Sequence, residues 1–85
     1  MKTFTTYILY SATIKRYYIG YTSTSLEERL KKHNTNHHGF TGKCNDWLIV
    51  WFSVAGTKSE ALRLEKKIKK RGAKRFLQDS ENSLN

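Results

Sequence analysis

Tyr7, Tyr18, Arg29 and Glu65 place two phenols, a guanidinium and a carboxylate along an 85-residue chain. Together these groups suit chemistry at a phosphodiester. A guanidinium fork grips phosphate oxygens in a bidentate way that an ammonium cannot. One carboxylate with several retained waters is the usual way a protein holds Mg²⁺ beside phosphates. A phenol is a weak base at its ordinary pKa of about 10. It activates water only if a neighbouring cation lowers that value, or if it works through a second water. Each group also has a plainer reading. Arg29 could snorkel to carbonyls or pair with a glutamate, and Glu65 could pair with Arg29 or another base. Tyr7 and Tyr18 could be ordinary strand aromatics, as Tyr10, Tyr17 and Tyr21 are expected to be.

The elements that must position these groups can be read from the pattern. Phe4 to Tyr10 and Arg16 to Thr22 are rich in aromatic and β-branched residues and predict two strands. The link Ser11-Ala12-Thr13-Ile14-Lys15 lacks the Asn-Gly or Asp-Gly signature of a tight turn, so it does not fix the hairpin register. Placing Tyr7 directly opposite Tyr18 closes the hairpin over Ala12-Thr13 and brings both phenols out on one face. Gly20, inside the second strand, marks a bulge or a close backbone approach that would suit a passing phosphate.

Ser25-x-x-Glu28 is a capping box that starts a helix at Leu26. Leu26, Arg29, Leu30 and His33 share one face of it. His33 could therefore touch phosphate or shuttle a proton, or be a hydrogen-bonded histidine at the edge of the core. The run from Trp47 to Val54 lacks alternation and predicts a third strand buried on both faces, as a central strand would be. Trp47, Trp51 and Phe52 are read as core. Thr57-x-x-Glu60 caps a second helix, with Ala61, Leu64, Glu65 and Ile68 on one face and Gly72 as its stop. Ala73 to Leu77 predicts a short last helix, and 79–85 a polar, frayed tail. The expected class is α+β in the order β-β-α-β-α-α, a small three-stranded antiparallel sheet flanked by helices. It would form a single domain over 1–78.

Composition bounds the function. Sixteen basic against seven acidic residues give +9, which points to a polyanionic partner, nucleic acid before an anionic membrane surface. Lys58 to Arg75 alone holds nine basic residues against two glutamates, a net +7. Lys66, Lys67, Lys69, Lys70, Arg71, Lys74 and Arg75 would track a nucleic-acid backbone, or else form a solvated helix face. The longest apolar run is too short to cross a bilayer. The single cysteine, Cys44, cannot form an intrachain disulfide; it reads as a small thiol, and the chain as cytoplasmic. His33, His37, His38 and Cys44 match no established zinc spacing.

Tyr7, Tyr18-Ile19-Gly20, Arg29 and Glu65 resemble the GIY-YIG endonuclease domain, from about Thr6 to Leu77. The likeness is strongest to small stand-alone bacterial members. They share Tyr-Ile-Leu in the first strand, Glu-Arg-Leu-x-x-His-Asn in the first helix, and Ser-Glu-Ala-Leu-x-x-Glu-x-x-Ile-Lys in the second. The resemblance implies a metal-dependent DNA endonuclease that hydrolyses phosphodiester bonds with one Mg²⁺ or Mn²⁺ held by Glu65. Tyr7 and Tyr18 would line the site and position or deprotonate the attacking water. Arg29 would stabilise developing charge, with His33 assisting. The chain departs from the family in Thr5-Thr6-Tyr7 for the first motif, in Tyr21 where some members have lysine, and in Asn82 as the nearest counterpart of an asparagine beyond the metal glutamate.

Two other functions fit the same residues: a non-catalytic nucleic-acid-binding module on this scaffold, and a subunit that depends on a protein partner. DNA repair, recombination, defence and mobile-element biology would all use such an activity.

Overall fold

Three strands and three helices follow in the order β1 (Phe4–Ser11), β2 (Arg16–Thr22), α1 (Leu26–Asn34), β3 (Leu48–Ala55), α2 (Lys58–Arg71) and α3 (Ala73–Asn82). The computed structural model describes residues 2–34 and 45–82. The sheet is antiparallel throughout, with strand order β2-β1-β3. The α+β class and the order of elements agree with the sequence reading.

The central strand is β1, not β3. Thr6, Tyr7, Ile8 and Leu9 are all fully buried, because neighbours pair with β1 on both sides and helices cover both faces. On one face Tyr7, Leu9 and Trp47 pack with Leu26 and Leu30 of α1 and with Tyr18. On the other, Ile8 packs with Ile68 of α2 and Ala73 of α3, joined by Trp51, Leu64 and Phe76. Thr6 ties β1 to α2 by donating to the Ala61 carbonyl at 2.9 Å.

β3 is an edge strand. Leu48, Val50, Phe52 and Val54 are exposed, so Phe52 is not core, and the burial of β3 alternates although its hydrophobicity does not. A register shift between Ile8 and Leu9 leaves Val50 as the extra residue of a bulge. Bulges are a common device for twisting an edge away from other strands.

The hairpin register differs from the expected one by two residues. Tyr7 lies opposite Gly20, and Tyr18 opposite Leu9. The turn is held from elsewhere in the chain. The Asp46 carboxylate accepts from the Thr13 amide at 2.9 Å, from Thr13 Oγ1 at 2.8 Å and from Ser11 Oγ. Lys15 closes the loop in the left-handed region, at φ 53°. Asp46→Ala should release this turn and cost roughly 1–3 kcal/mol, the usual penalty for stripping partners from partly buried donors. Urea unfolding checks this, and an unchanged midpoint would mean that the strands alone set the register.

The helix caps follow the sequence. Ser25 Oγ accepts from the Glu28 amide, Thr57 Oγ1 accepts from the Glu60 amide at 3.2 Å, and Gly72 ends α2 at φ 95°. The last helix is longer than its apolar pattern suggested and runs on to Asn82, into the segment expected to fray. Arg71 and Asp79 brace it with two bonds of 2.8 and 3.1 Å.

Candidate active site

Tyr7 is the hub of the site. Its side chain projects from the central strand on the face that α1 covers. α1 turns Arg29 and His33 towards it because Leu26, Leu30 and His33 form the buried stripe of that helix, with Arg29 at its margin. Arg29 Nε donates to the Tyr7 hydroxyl at 3.3 Å, and His33 Nε2 lies 3.0 Å from the same oxygen. Since the phenol oxygen accepts from Arg29, its own proton is best used on His33 Nε2, leaving that nitrogen the acceptor.

Tyr18 stands diagonally across the hairpin on the same face. Its ring centroid is 6.4 Å from that of Tyr7 and 4.7 Å from that of His33. Tyr18 also rests edge-on against Trp47, a buried neighbour that shapes the site and that the sequence reading treated only as core. Tyr10 and Tyr17 stack with each other instead, 4.8 Å apart, and Tyr17 joins the core on the opposite face.

Gly20 explains how two aromatic side chains fit beside one strand. A β-carbon there would lie 2.9 Å from the Tyr7 hydroxyl and 3.0 Å from the Tyr18 ring. The close approach expected at this glycine is therefore real, but Tyr7 and Tyr18 occupy the space, and the bulge lies on another strand.

Burial dominates the electrostatics of Tyr7. Desolvation raises its pKa above the ordinary value, and the lowering by Arg29 does not overcome it; the charges of Tyr18 and Glu65 raise it further. Tyr7 is thus a neutral phenol at neutral pH, and Arg29 by itself does not bring its pKa below the ordinary value. Arg29, hydrogen-bonded to the phenol, is held even more firmly in its charged form. Above a pH of about 10 the unfolded chain loses the Tyr7 proton while the folded chain retains it, so stability falls as pH rises through that range. In an alkaline titration followed by phenolate absorbance, one of the five tyrosines should ionise only as the fold opens. Tyr7→Phe should abolish that late step; five tyrosines all ionising before unfolding would contradict the assignment.

Glu65 lies on α2, which packs against β1 and β2. Its side chain is 14% exposed, and its carboxylate accepts from Lys69 Nζ, one turn on, at 2.9 Å. The partner of Glu65 is thus Lys69 and not Arg29. Its negative charge is the smallest of the influences that raise the Tyr7 pKa. Among the described residues no group of three or more His, Cys, Asp or Glu side chains could hold a metal ion. His37, His38 and Cys44 lie outside the described residues.

The basic residues of α2 and α3 serve different surroundings. Lys66, Lys74 and Arg75 are exposed. Lys67, Lys70 and Arg71 border a groove floored by Phe76 and flanked by Asp79 and Ser80. Arg71 is committed to Asp79. No helix among the described residues is long and apolar enough to cross a membrane.

Comparison with known proteins accords with this geometry. The sequence profile of the GIY-YIG catalytic domain matches residues 3–78. Neither the curated proteins nor the solved structures yield a match. The matched span takes in all three strands, α1 and α2, and the hairpin that carries Tyr7 and Tyr18-Ile19-Gly20. A match over nearly the whole chain makes this protein a member of the GIY-YIG catalytic domain family, a family of nucleases.

Proposed function

We propose that this protein is a divalent-metal-dependent endonuclease that hydrolyses DNA phosphodiester bonds. The observation that carries the reading is the convergence on one buried phenol: Arg29 and His33 both bond the Tyr7 hydroxyl.

The donor set fits Mg²⁺ or Mn²⁺. Both are hard cations that accept a single carboxylate, keep several waters and take further oxygens from phosphate. Glu65 is sheltered, bears an oxygen donor, and is paired with the flexible side chain of Lys69. When bound, such an ion lowers the pKa of a coordinated water and stabilises charge on phosphoryl oxygens.

The chain's own residues do the rest. Tyr7, kept neutral by burial, anchors Arg29 and His33. Arg29 spends Nε on Tyr7, which leaves the outer nitrogens of the fork for the non-bridging oxygens of the phosphate, where developing charge needs donors already in place. Tyr18 is half-buried and stands nearer the surface than Tyr7, so it is the phenol that positions the attacking water. Lys66, Lys74 and Arg75 hold the DNA backbone, and each phosphate they neutralise adds about −0.9 to the log–log salt slope of binding.

Purified protein incubated with duplex, branched, flapped and single-stranded DNA should nick or cut at least one of them with Mg²⁺ or Mn²⁺, and none with EDTA. Failure on all four with either metal would sink the proposal. EDTA-insensitive, salt-dependent binding without turnover would instead mark a binding module on a nuclease scaffold.

A further inference from the structure

Lys69 is the cation in contact with Glu65, the carboxylate proposed to hold the metal. We propose that Lys69 is the resident counter-ion of Glu65, displaced when a metal arrives, and that its ammonium then turns to the phosphate drawn in beside that metal. The inference rests on the proposed metal site at Glu65 for its first half and on the endonuclease reading for its second.

Three observations support it. First, Glu65 is 14% exposed while its partner Lys69 is 55% exposed, at 2.9 Å. The ammonium is thus the more exposed partner of a sheltered carboxylate, and an arriving metal must compete with it for that carboxylate. Second, α2 places Lys69 there independently of Glu65. The two are one turn apart, glutamate first, in the favourable order, and Lys69 lies in the last turn of α2, where the helix dipole favours a cation. Losing its partner to a metal would not withdraw it from the site. Third, Arg29 approaches Tyr7 from α1, whereas Lys69 stands on α2 beside the carboxylate whose charge reaches Tyr7. Lys69 thus offers a second cation from a different helix. An ammonium suits this change of partner, being a compact charge on a flexible stem.

An ordinary surface ion pair and a displaceable counter-ion differ in what they do to metal binding. Against Mn²⁺ alone, measured by calorimetry or electron paramagnetic resonance, Lys69→Met should bind about two- to fivefold tighter than wild type, the scale expected from losing one solvent-exposed (i, i+4) competitor and its repulsion of the ion. Glu65→Ala supplies the baseline without the carboxylate. At saturating Mn²⁺, Lys69→Met should lower kcat for DNA cleavage on the order of tenfold or more, the loss expected for one charged hydrogen bond, and Lys69→Arg should restore most of it. Unchanged or weaker Mn²⁺ binding by Lys69→Met overturns the counter-ion role, whether or not any DNA is cut. Unchanged kcat in Lys69→Met, with wild type active, overturns the phosphate role and leaves the nuclease reading intact. Wild type that cuts nothing while Lys69→Met binds Mn²⁺ more tightly removes the nuclease reading and keeps the counter-ion.

Discussion

Glu65→Ala should reduce DNA cleavage on the order of a thousandfold or more, while the protein stays folded. The size follows from what the carboxylate is proposed to do. A catalytic divalent ion supplies several kcal/mol of transition-state stabilisation, and each 1.36 kcal/mol is tenfold in rate. No cluster of metal-ligating side chains among the described residues offers a substitute site. The stability effect should be slight. Glu65 forms an (i, i+4) pair with an exposed lysine, a class of interaction worth about 0.3–0.5 kcal/mol, so the melting midpoint should move by only about 2–4 °C. Cleavage assays on the Mn²⁺-supplemented protein beside thermal unfolding make the comparison. A variant that still cuts at more than about a tenth of the wild-type rate would remove Glu65 from the metal site. A variant that unfolds would show that Glu65 is a structural residue.

Gly20→Ala should damage both the fold and the site, which is unusual for so small a change. Its backbone is not in the left-handed region, the only positive-φ glycine among the described residues being Gly72. Alanine there would ordinarily stabilise, by about 0.4–1 kcal/mol, through a less flexible unfolded chain. The added methyl, however, would lie 2.9 Å from the Tyr7 hydroxyl, 3.1 Å from its ring and 3.0 Å from the Tyr18 ring. The Tyr7 side chain cannot swing aside, being fully buried with its hydroxyl bonded to Arg29 and His33. Overpacking of this kind costs roughly 1–3 kcal/mol, a drop in melting midpoint of about 10 °C. Moving the phenol by 1 Å would carry Arg29 with it and cost about a hundredfold in cleavage. A Gly20→Ala protein that melts higher than wild type would mean that the two tyrosines have room to separate, and that the packing described for this hairpin is not what holds the site.

The elements of this fold can be read from the chain because their signals are local. Ser25 and Thr57 start helices through bonds three residues away, and Gly72 ends one through its own backbone. The hairpin register is another matter, since it depends on Asp46, more than thirty positions beyond the turn it holds. The slip from Tyr18 to Gly20 opposite Tyr7 was an even number of residues, and even slips keep side chains on the same face. That is why the two phenols still share a face under the wrong pairing. The place of β3 was hidden for a different reason. Its residues are apolar on both sides, so composition cannot tell an edge from a centre, and only the pairing of β1 with both neighbours decides it. α3 outran its apolar pattern because the Arg71–Asp79 bond holds its polar half. Arg29 and Glu65 were legible as charges on apolar faces, whereas the bond of Arg29 to Tyr7, and of Glu65 to Lys69, depends on how the helices lie.

The position of Tyr7 on β1 also governs how the site can move. A strand bonded to neighbours along both edges, with packed side chains above and below, exchanges its amide hydrogens only when the whole molecule opens. The hub of the site therefore belongs to the most slowly fluctuating part of the protein. Arg29 and His33 sit on α1, which packs on one face of that strand, and Glu65 and Lys69 on α2, which packs on the other. On the proposed endonuclease reading, adjustment to the shape of a bound nucleic acid falls to shifts of α1 and α2 over a fixed floor, so the helices would set the tolerance for substrate shape while the sheet holds Tyr7 in place.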